Sequence, residues 1–440
     1  MQPNEEKLDA IIIGGGVAGL AAATFLARSR KSARLFEQSH AHGGRARTKQ
    51  HDGFYLNLGP HALYRGGRGI EVLRELGVEI RGQIPSVSGA YAVKGGIKHT
   101  FPAGTVSLLT TSLFGLSAKL ETGRLLGSLA KLNGDDVMGV SLREWIDGYV
   151  SHAGVREFLL AAFRVATYTN APELMSAGTA IEQLKLALVK NVLYLDEGWQ
   201  TIVDGLAEAA RQAGALIETG AKVEKVERDQ AGAARSVRLT DGRVFYAQNI
   251  IIASSPGLAA GLVEHGEQTS LARWAGESIP VKAACLDIAL KYLPKPKATF
   301  ALGIDSPLYL SVHSATARLA PEGCAMIHVA KYLPPDHDDS PGEVERELER
   351  LLDVVQPEWR AALLYRRFLP DMIVMNQLPL ARLQGTSGRP APKVSDVPGL
   401  FIIGDWVGSE GLLVDASLAS AKQAAEMIAA RHPVSLAAAR

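Results

Sequence analysis

The 440 residues exceed what one small core requires and leave room for two domains. Hydrophobic residues make up 47% and charged residues 21%, an ordinary globular balance, and a formal net charge of +1 gives nucleic acid no bulk attraction. Only two cysteines are present, Cys285 and Cys324, which excludes a disulfide framework and a cysteine-rich metal cluster and suits a reducing cytoplasm.

The chain then opens on its most informative stretch. An apolar run over 10–13 has the length of a buried parallel strand. Gly14, Gly16 and Gly19 follow at G-x-G-x-x-G spacing, and an Ala-rich helical run continues to Ala27. A second strand over 33–36 ends on Glu37, 18 residues after Gly19. In this pattern Gly14 allows the tight turn, Gly16 lets the backbone approach a pyrophosphate, and Gly19 lets the helix lie close on the strand. The helix N-terminus offers free N–H groups and a positive dipole end to phosphate. Glu37 is placed to accept both ribose hydroxyls and to repel a 2′-phosphate. A glycine-rich turn without a ligand is the plain alternative. Strand, helix and terminal acid in one register favour a dinucleotide, with NAD and FAD both open on the motif alone.

Gly43 and Gly44 permit backbone conformations that other residues resist, and Arg45 and Arg47 bring two fixed cations. A solvated basic loop would look the same. An alternating strand over 54–58 is stopped by Gly59-Pro60, leaving His61 on a loop. Taken together, the glycine motif, Glu37, the GGRART segment and DGFYLNLGPH resemble the FAD-dependent superfamily of amine oxidases, protoporphyrinogen oxidases and phytoene desaturases, closest to phytoene desaturase-like proteins. The resemblance selects FAD over NAD. It implies an α/β fold, with a Rossmann-like FAD-binding domain of the glutathione-reductase type and an inserted substrate domain of β-sheet plus helices. It lays Gly43, Gly44 and Arg45 along the FAD diphosphate, and Leu58, Gly59 and Pro60 near the flavin ring.

Further along, 70–82 reads as a short amphipathic helix stopped at Gly77 and then a strand, and 85–103 as strands turning at Gly95-Gly96. Residues 105–192 turn Leu/Ala-rich and helical, a cap whose apolar face lines a substrate tunnel, rests on a membrane surface or packs as ordinary helix core. The family returns the chain to the FAD domain near Gly198-Trp199, where it usually has Gly-Gly. It touches adenine through the backbone near Val223 and passes the dinucleotide at the small-residue loop holding Ser254. A hairpin is expected around Asp241-Gly242. Residues 276–335 read as a second β-rich region, and EVERELERLLDVV as a charged helix. Near the C-terminus a buried strand over 400–403 leads into Gly404-Asp405, the family's second FAD motif, with the acid at the ribityl chain. The helix that follows should point its N-terminus at the flavin N1 and O2 edge. The expected domains are 1–84, 193–275 and 371–440 for FAD, and 85–192 and 276–370 for substrate.

Hydride transfer to flavin N5 needs no obligatory acid, base or nucleophile, so pocket shape carries the chemistry. Two side chains are candidates for a catalytic role. His61 would be a base or polar contact, against a structural loop histidine. Lys282 falls near the lysine that amine oxidase relatives bridge by water to N5, against a plain strand lysine. At the amine oxidases' aromatic cage position this chain has Leu413, and with Leu412 and Val414 that wall is aliphatic. The expected reaction is dehydrogenation of a small apolar isoprenoid- or porphyrinogen-like substrate, with oxygen or quinone as acceptor and FAD held non-covalently. Amine oxidation and a non-redox lipid-binding role on the same fold are the alternatives. No metal or nucleic acid is expected. The N-terminal residues carry no apolar signal core, and no apolar run of about 18 residues suggests a span. A cytoplasmic protein is expected, with peripheral membrane contact left open.

Overall fold

A computed structural model describes residues 8–129 and 131–430. Its first sheet is built on the opening motif. Strand Leu8–Ile13 lies between Ala33–Glu37 and Val244–Ile252, all parallel, with Leu216–Thr219 and Leu400–Ile402 completing the parallel set. Leu8–Ile13 is apolar almost throughout because both its faces are covered. Ala10 and Ile12 turn toward three helices, Val17–Arg28, Gln200–Gln212 and Leu413–Ala429. Ile11 and Ile13 turn the other way, under an antiparallel layer formed by Val223–Arg228, Ala234–Leu239 and the first half of Val244–Ile252. Alanines at 21–23 in the first helix, and at 421, 424 and 425 in the last, bring those two helices close.

The second sheet has seven strands, in the order Leu363–Met375, Val281–Leu290, Ala325–Leu333, Leu308–Val312, Phe300–Gly303, Ala90–Lys94 and Ile97–Thr100. Helix Pro341–Val355 covers one face with Val344, Leu348, Leu351, Leu352 and Val355. It starts at a capping box between Ser340 and Glu343. The cap helices lie against the other side of the sheet, and Ala153–Thr167 and Ala177–Lys190 bury their apolar faces there as helix-on-sheet core. Helix Thr105–Thr110 buries no residue, and Val106, Leu109, Leu116 and Leu120 stay exposed.

Three local readings change. The second strand of the hairpin runs on unbroken toward the small-residue loop holding Ser254 as one element, Val244–Ile252, antiparallel in its first half and parallel in its second. Strand Leu363–Met375 carries the second sheet past residue 370, since its ladder with Val281–Leu290 runs to Met375. The strand expected near 82 is only Gly82–Gln83.

Candidate functional site

The tip of the first sheet forms a cradle. Gly14 has φ of 110°, and a Cβ there would lie 2.6 Å from the Ala253 carbonyl oxygen. A Cβ at Gly19 would lie 1.9 Å from the Gly14 carbonyl oxygen, so helix and turn touch backbone to backbone. A Cβ at Gly16 would meet nothing within 4 Å, so this backbone borders open space. Glu37 is oriented by two main-chain donors, Gly15 N–H at 2.6 Å and Ser39 N–H at 2.8 Å. Ala221 N–H donates to the Glu37 carbonyl at 2.9 Å, which brings Val223 to the same end of the sheet.

The second glycine pair closes onto the first. Gly43 N–H donates to the Gly15 carbonyl at 2.7 Å, and Gly43 bridges Gly16 in parallel. Two residues on, Arg45 Nη1 donates to Asp405 at 2.6 Å and to the Val374 carbonyl at 2.9 Å. Front and back of the chain therefore meet through Gly16, Gly43, Arg45 and Asp405. Asp405 also accepts from Asn376 N–H at 3.1 Å and Nδ2 at 2.8 Å. Burial pushes its carboxyl up, but the Arg45 charge and these hydrogen bonds outweigh burial and hold it below the usual carboxylate value. Asn376 had no signal in the sequence, because it lies 29 residues from its partner. Gly404 N–H donates to Ser420 Oγ at 3.0 Å, and the Ser254 carbonyl accepts from Trp406 Nε1 at 2.8 Å.

Gly59 has φ of 77° and sits over Met372 and Cys285, while Leu58 is partly exposed. His61 braces this loop beside Pro60. Its ring nitrogens lie 3.1 Å from the Gly59 and Arg45 carbonyl oxygens, and its ring meets Trp199 edge-on at 5.0 Å. Burial lowers its pKa, opposed by the two carbonyls. Trp199 is thus the wall behind His61.

Lys282 is not brought to this loop. Strand Val281–Leu290 alternates faces without a break along Ala325–Leu333, and Cys285 is the residue under Gly59. Lys282 falls on the opposite parity and pairs with Asp371 at 2.9 Å. What the sequence did not reveal is the cluster on the Cys285 face. Asp287 is fully buried and accepts from His328 Nδ1 at 2.6 Å, Cys285 Sγ at 3.2 Å and Arg367 Nε at 2.9 Å. Arg367 Nη2 reaches both Asp287 and the Asn57 carbonyl, tying the second sheet to the residue before Leu58. Burial acts to raise the Asp287 carboxyl, but His328 and Arg367 hold it low.

At the start of the last helix, Leu412 and Leu413 pack on the second-sheet core and Val414 on the first. Leu413 has φ of 56°, a conformation that is strained for a leucine. A cleft of about 600 Å³ opens beside it, lined by exposed Glu182 and Lys190 as well as buried Gln183 and Leu412. In the first helical turn Asp415 accepts from Gly69 N–H at 2.7 Å, and its other oxygen has no partner among the described residues. Burial pushes this carboxyl up to about 7. A raised carboxyl pKa means the folded state holds a proton that the unfolded state loses. The contribution is favourable below about 4 and falls away as pH rises toward 7. Asp415→Asn should therefore be more stable than wild type at pH 8, by on the order of 4 kcal/mol, with a smaller gain at pH 5. Denaturant titrations at the two pH values check the sign.

Residues 17–294 match the family model "Flavin containing amine oxidoreductase". The chain is 22% identical to coproporphyrinogen III oxidase of Bacillus subtilis over 59% of this chain and 62% of that protein. It is 26% identical to the zeta-carotene-forming phytoene desaturase of Myxococcus xanthus over 55% of this chain and 52% of that protein. The chain thus spans between half and two thirds of the length of these curated relatives. An oxidoreductase from Methanosarcina mazei superposes with a TM-score of 0.75 at 19% identity, covering 95% of this chain and 100% of that one.

Proposed function

Because the chain belongs to the flavin-containing amine oxidoreductase family, we propose that it dehydrogenates a small apolar substrate, isoprenoid- or porphyrinogen-like, using its FAD. The observation that carries this reading is the joined cradle, in which Gly16 meets Gly43 and Arg45 meets Asp405. The residues fit the cofactor: Gly16 leaves open backbone for a pyrophosphate, Glu37 is oriented by main-chain donors, and a cation flanks the Asp405 end. When bound, FAD accepts hydride at N5 and so takes up both electrons.

The protein's own part is placement. Gly14, Gly16 and Gly19 shape the phosphate turn, Glu37 holds the ribose, and Val223 and Ser254 border the adenine half. Gly43, Gly44 and Arg45 line the diphosphate, and Gly404 and Asp405 the ribityl chain. Leu58, Gly59 and Pro60 lie at the ring, with His61 bracing the loop. Leu412, Leu413 and Val414 exclude water from the reacting carbon. Their aliphatic character favours an apolar substrate over an amine, which the family's aromatic cage would hold. The retained glycines, Glu37 and Asp405 speak against a flavin-free lipid-binding role. We assign the cofactor as non-covalent and the acceptor as oxygen or a quinone. Among the described residues no helix is long and apolar enough to cross a membrane.

The purified protein is expected to be yellow and to lose its flavin on denaturation. Anaerobic addition of a carotene precursor or a porphyrinogen should bleach it. Protein that stays colourless after addition of FAD overturns the proposal, whereas bleaching by amines alone transfers it to amine oxidation.

A further inference from the structure

Arg389 is buried, 7% exposed, beneath the loop that joins strand Leu400–Ile402 to the last helix. Its Nη1 donates to the Gly411 carbonyl at 2.9 Å. Its Nε and Nη2 have no partner among the described residues. Those two N–H groups lie on one edge of the guanidinium, a side-on fork that suits two acceptor atoms at once. Burial lowers its pKa to about 10 with Asp405 opposing, so it is charged at neutral pH. A buried cation with an unpartnered fork is costly unless an electron-rich group faces it.

Its position narrows the occupant. Gly411 and Asp405 are the two ends of one loop, and the guanidinium bonds one end while feeling the charge of the other. Asp405 does not fill the fork: its oxygens accept from Arg45 and Asn376, and no hydrogen bond joins it to Arg389 Nε or Nη2. The family places the ribityl chain at Asp405 and the pyrimidine edge at the helix start. The helix capped by Leu412 has no side-chain cap. Its acidic first-turn residue, Asp415, has the carboxyl raised to about 7, so at neutral pH it is only partly ionised and offsets the positive pole there incompletely.

We propose that Arg389 is the counter-ion of the reduced flavin, with its side-on fork serving the pyrimidine end of FAD. The inference rests on the FAD reading above. Oxidised flavin is neutral. A substrate C–H bond that breaks as hydride delivers two electrons and one proton to N5, leaving one negative charge on the pyrimidine ring. A fixed cation in a dry site binds that form more tightly than the oxidised one. Arg389 thereby raises the flavin's potential and drives the dehydrogenation forward.

The test is the midpoint potential of holoenzyme, together with FAD affinity, for wild type, Arg389→Lys, Arg389→Gln and Arg389→Met. In the Gln and Met variants, affinity for reduced FAD should fall at least tenfold more than affinity for oxidised FAD. For a two-electron couple this lowers the midpoint by about 30 mV or more. Arg389→Lys, which keeps the charge, should stay nearer wild type. An unchanged midpoint, even with a raised KM, overturns the proposal, because the fork then holds substrate or water. So does an equal loss of both FAD forms, a Lys variant as low as Gln, or failure of both neutral variants to fold. A colourless wild-type protein sinks the cofactor reading itself.

Discussion

Gly19→Ala should be destabilised as well as unable to bind FAD, while Gly16→Ala should keep its stability and lose only the cofactor. The two glycines differ in what surrounds them. A Cβ at Gly19 lands 1.9 Å from the Gly14 carbonyl oxygen, which is backbone and has no rotamer to yield. Relief requires the helix Val17–Arg28 to lift off the strand. That helix is packed through its alanines on Leu413–Ala429 and Gln200–Gln212, so the displacement spreads into the core. Overpacking of this kind costs roughly 1–3 kcal/mol or more, concentrated at the cradle. Gly16 has φ of −77°, which alanine adopts freely, and its Cβ would touch no protein atom. The added methyl stands where we place the diphosphate. FAD titration of both variants, with circular dichroism for folding, separates the two effects. Full FAD binding by Gly16→Ala would falsify the placement.

Asp287→Ala is expected to be the most destabilising substitution outside the cradle, by about 3–5 kcal/mol. The carboxylate is fully buried and holds His328, Cys285 and Arg367 together. Removing it leaves a largely buried guanidinium and an imidazole without their acceptor. Removing both charges as Asp287→Leu with Arg367→Met should recover most of the loss, because no orphan charge then remains. Lys282→Ala, on the same strand, removes a partly exposed pair with Asp371 and should cost about 0–1 kcal/mol. Urea unfolding of the four proteins measures the contrast. Equal losses for Asp287→Ala and Lys282→Ala would show that burial does not govern this strand. A second consequence is local. Arg367 anchors the Asn57 carbonyl, so the Asp287 variant should also loosen the Leu58–Gly59 loop and release FAD faster.

Period and spacing explain which parts were readable. The buried run before Gly14, the Ala-rich helix and Glu37 obey short-range rules, and each rule fits inside about thirty residues. The hairpin at Asp241-Gly242 was equally local, but the length of its second strand was not. Val244–Ile252 changes partners halfway, and that change depends on strands more than a hundred residues away in either direction. Lys282 shows the same limit more sharply. Its residue type matched a family role, yet a strand turns alternate side chains to opposite faces, and only the ladder with Ala325–Leu333 reveals which parity lies under Gly59.

The order of residues alone dictated a dinucleotide turn at the front of this polypeptide and a glycine–acid loop at its back, because backbone freedom and helix polarity are properties of neighbours in the chain. Tertiary structure alone decided that Arg45 grips Asp405, that Asp287 collects three partners beneath the Leu58–Gly59 loop, and that Arg389 is left with a fork unpartnered among the described residues. Those facts depend on which distant side chains share one dry volume, where an unmet charge is expensive and a met one holds the site in place.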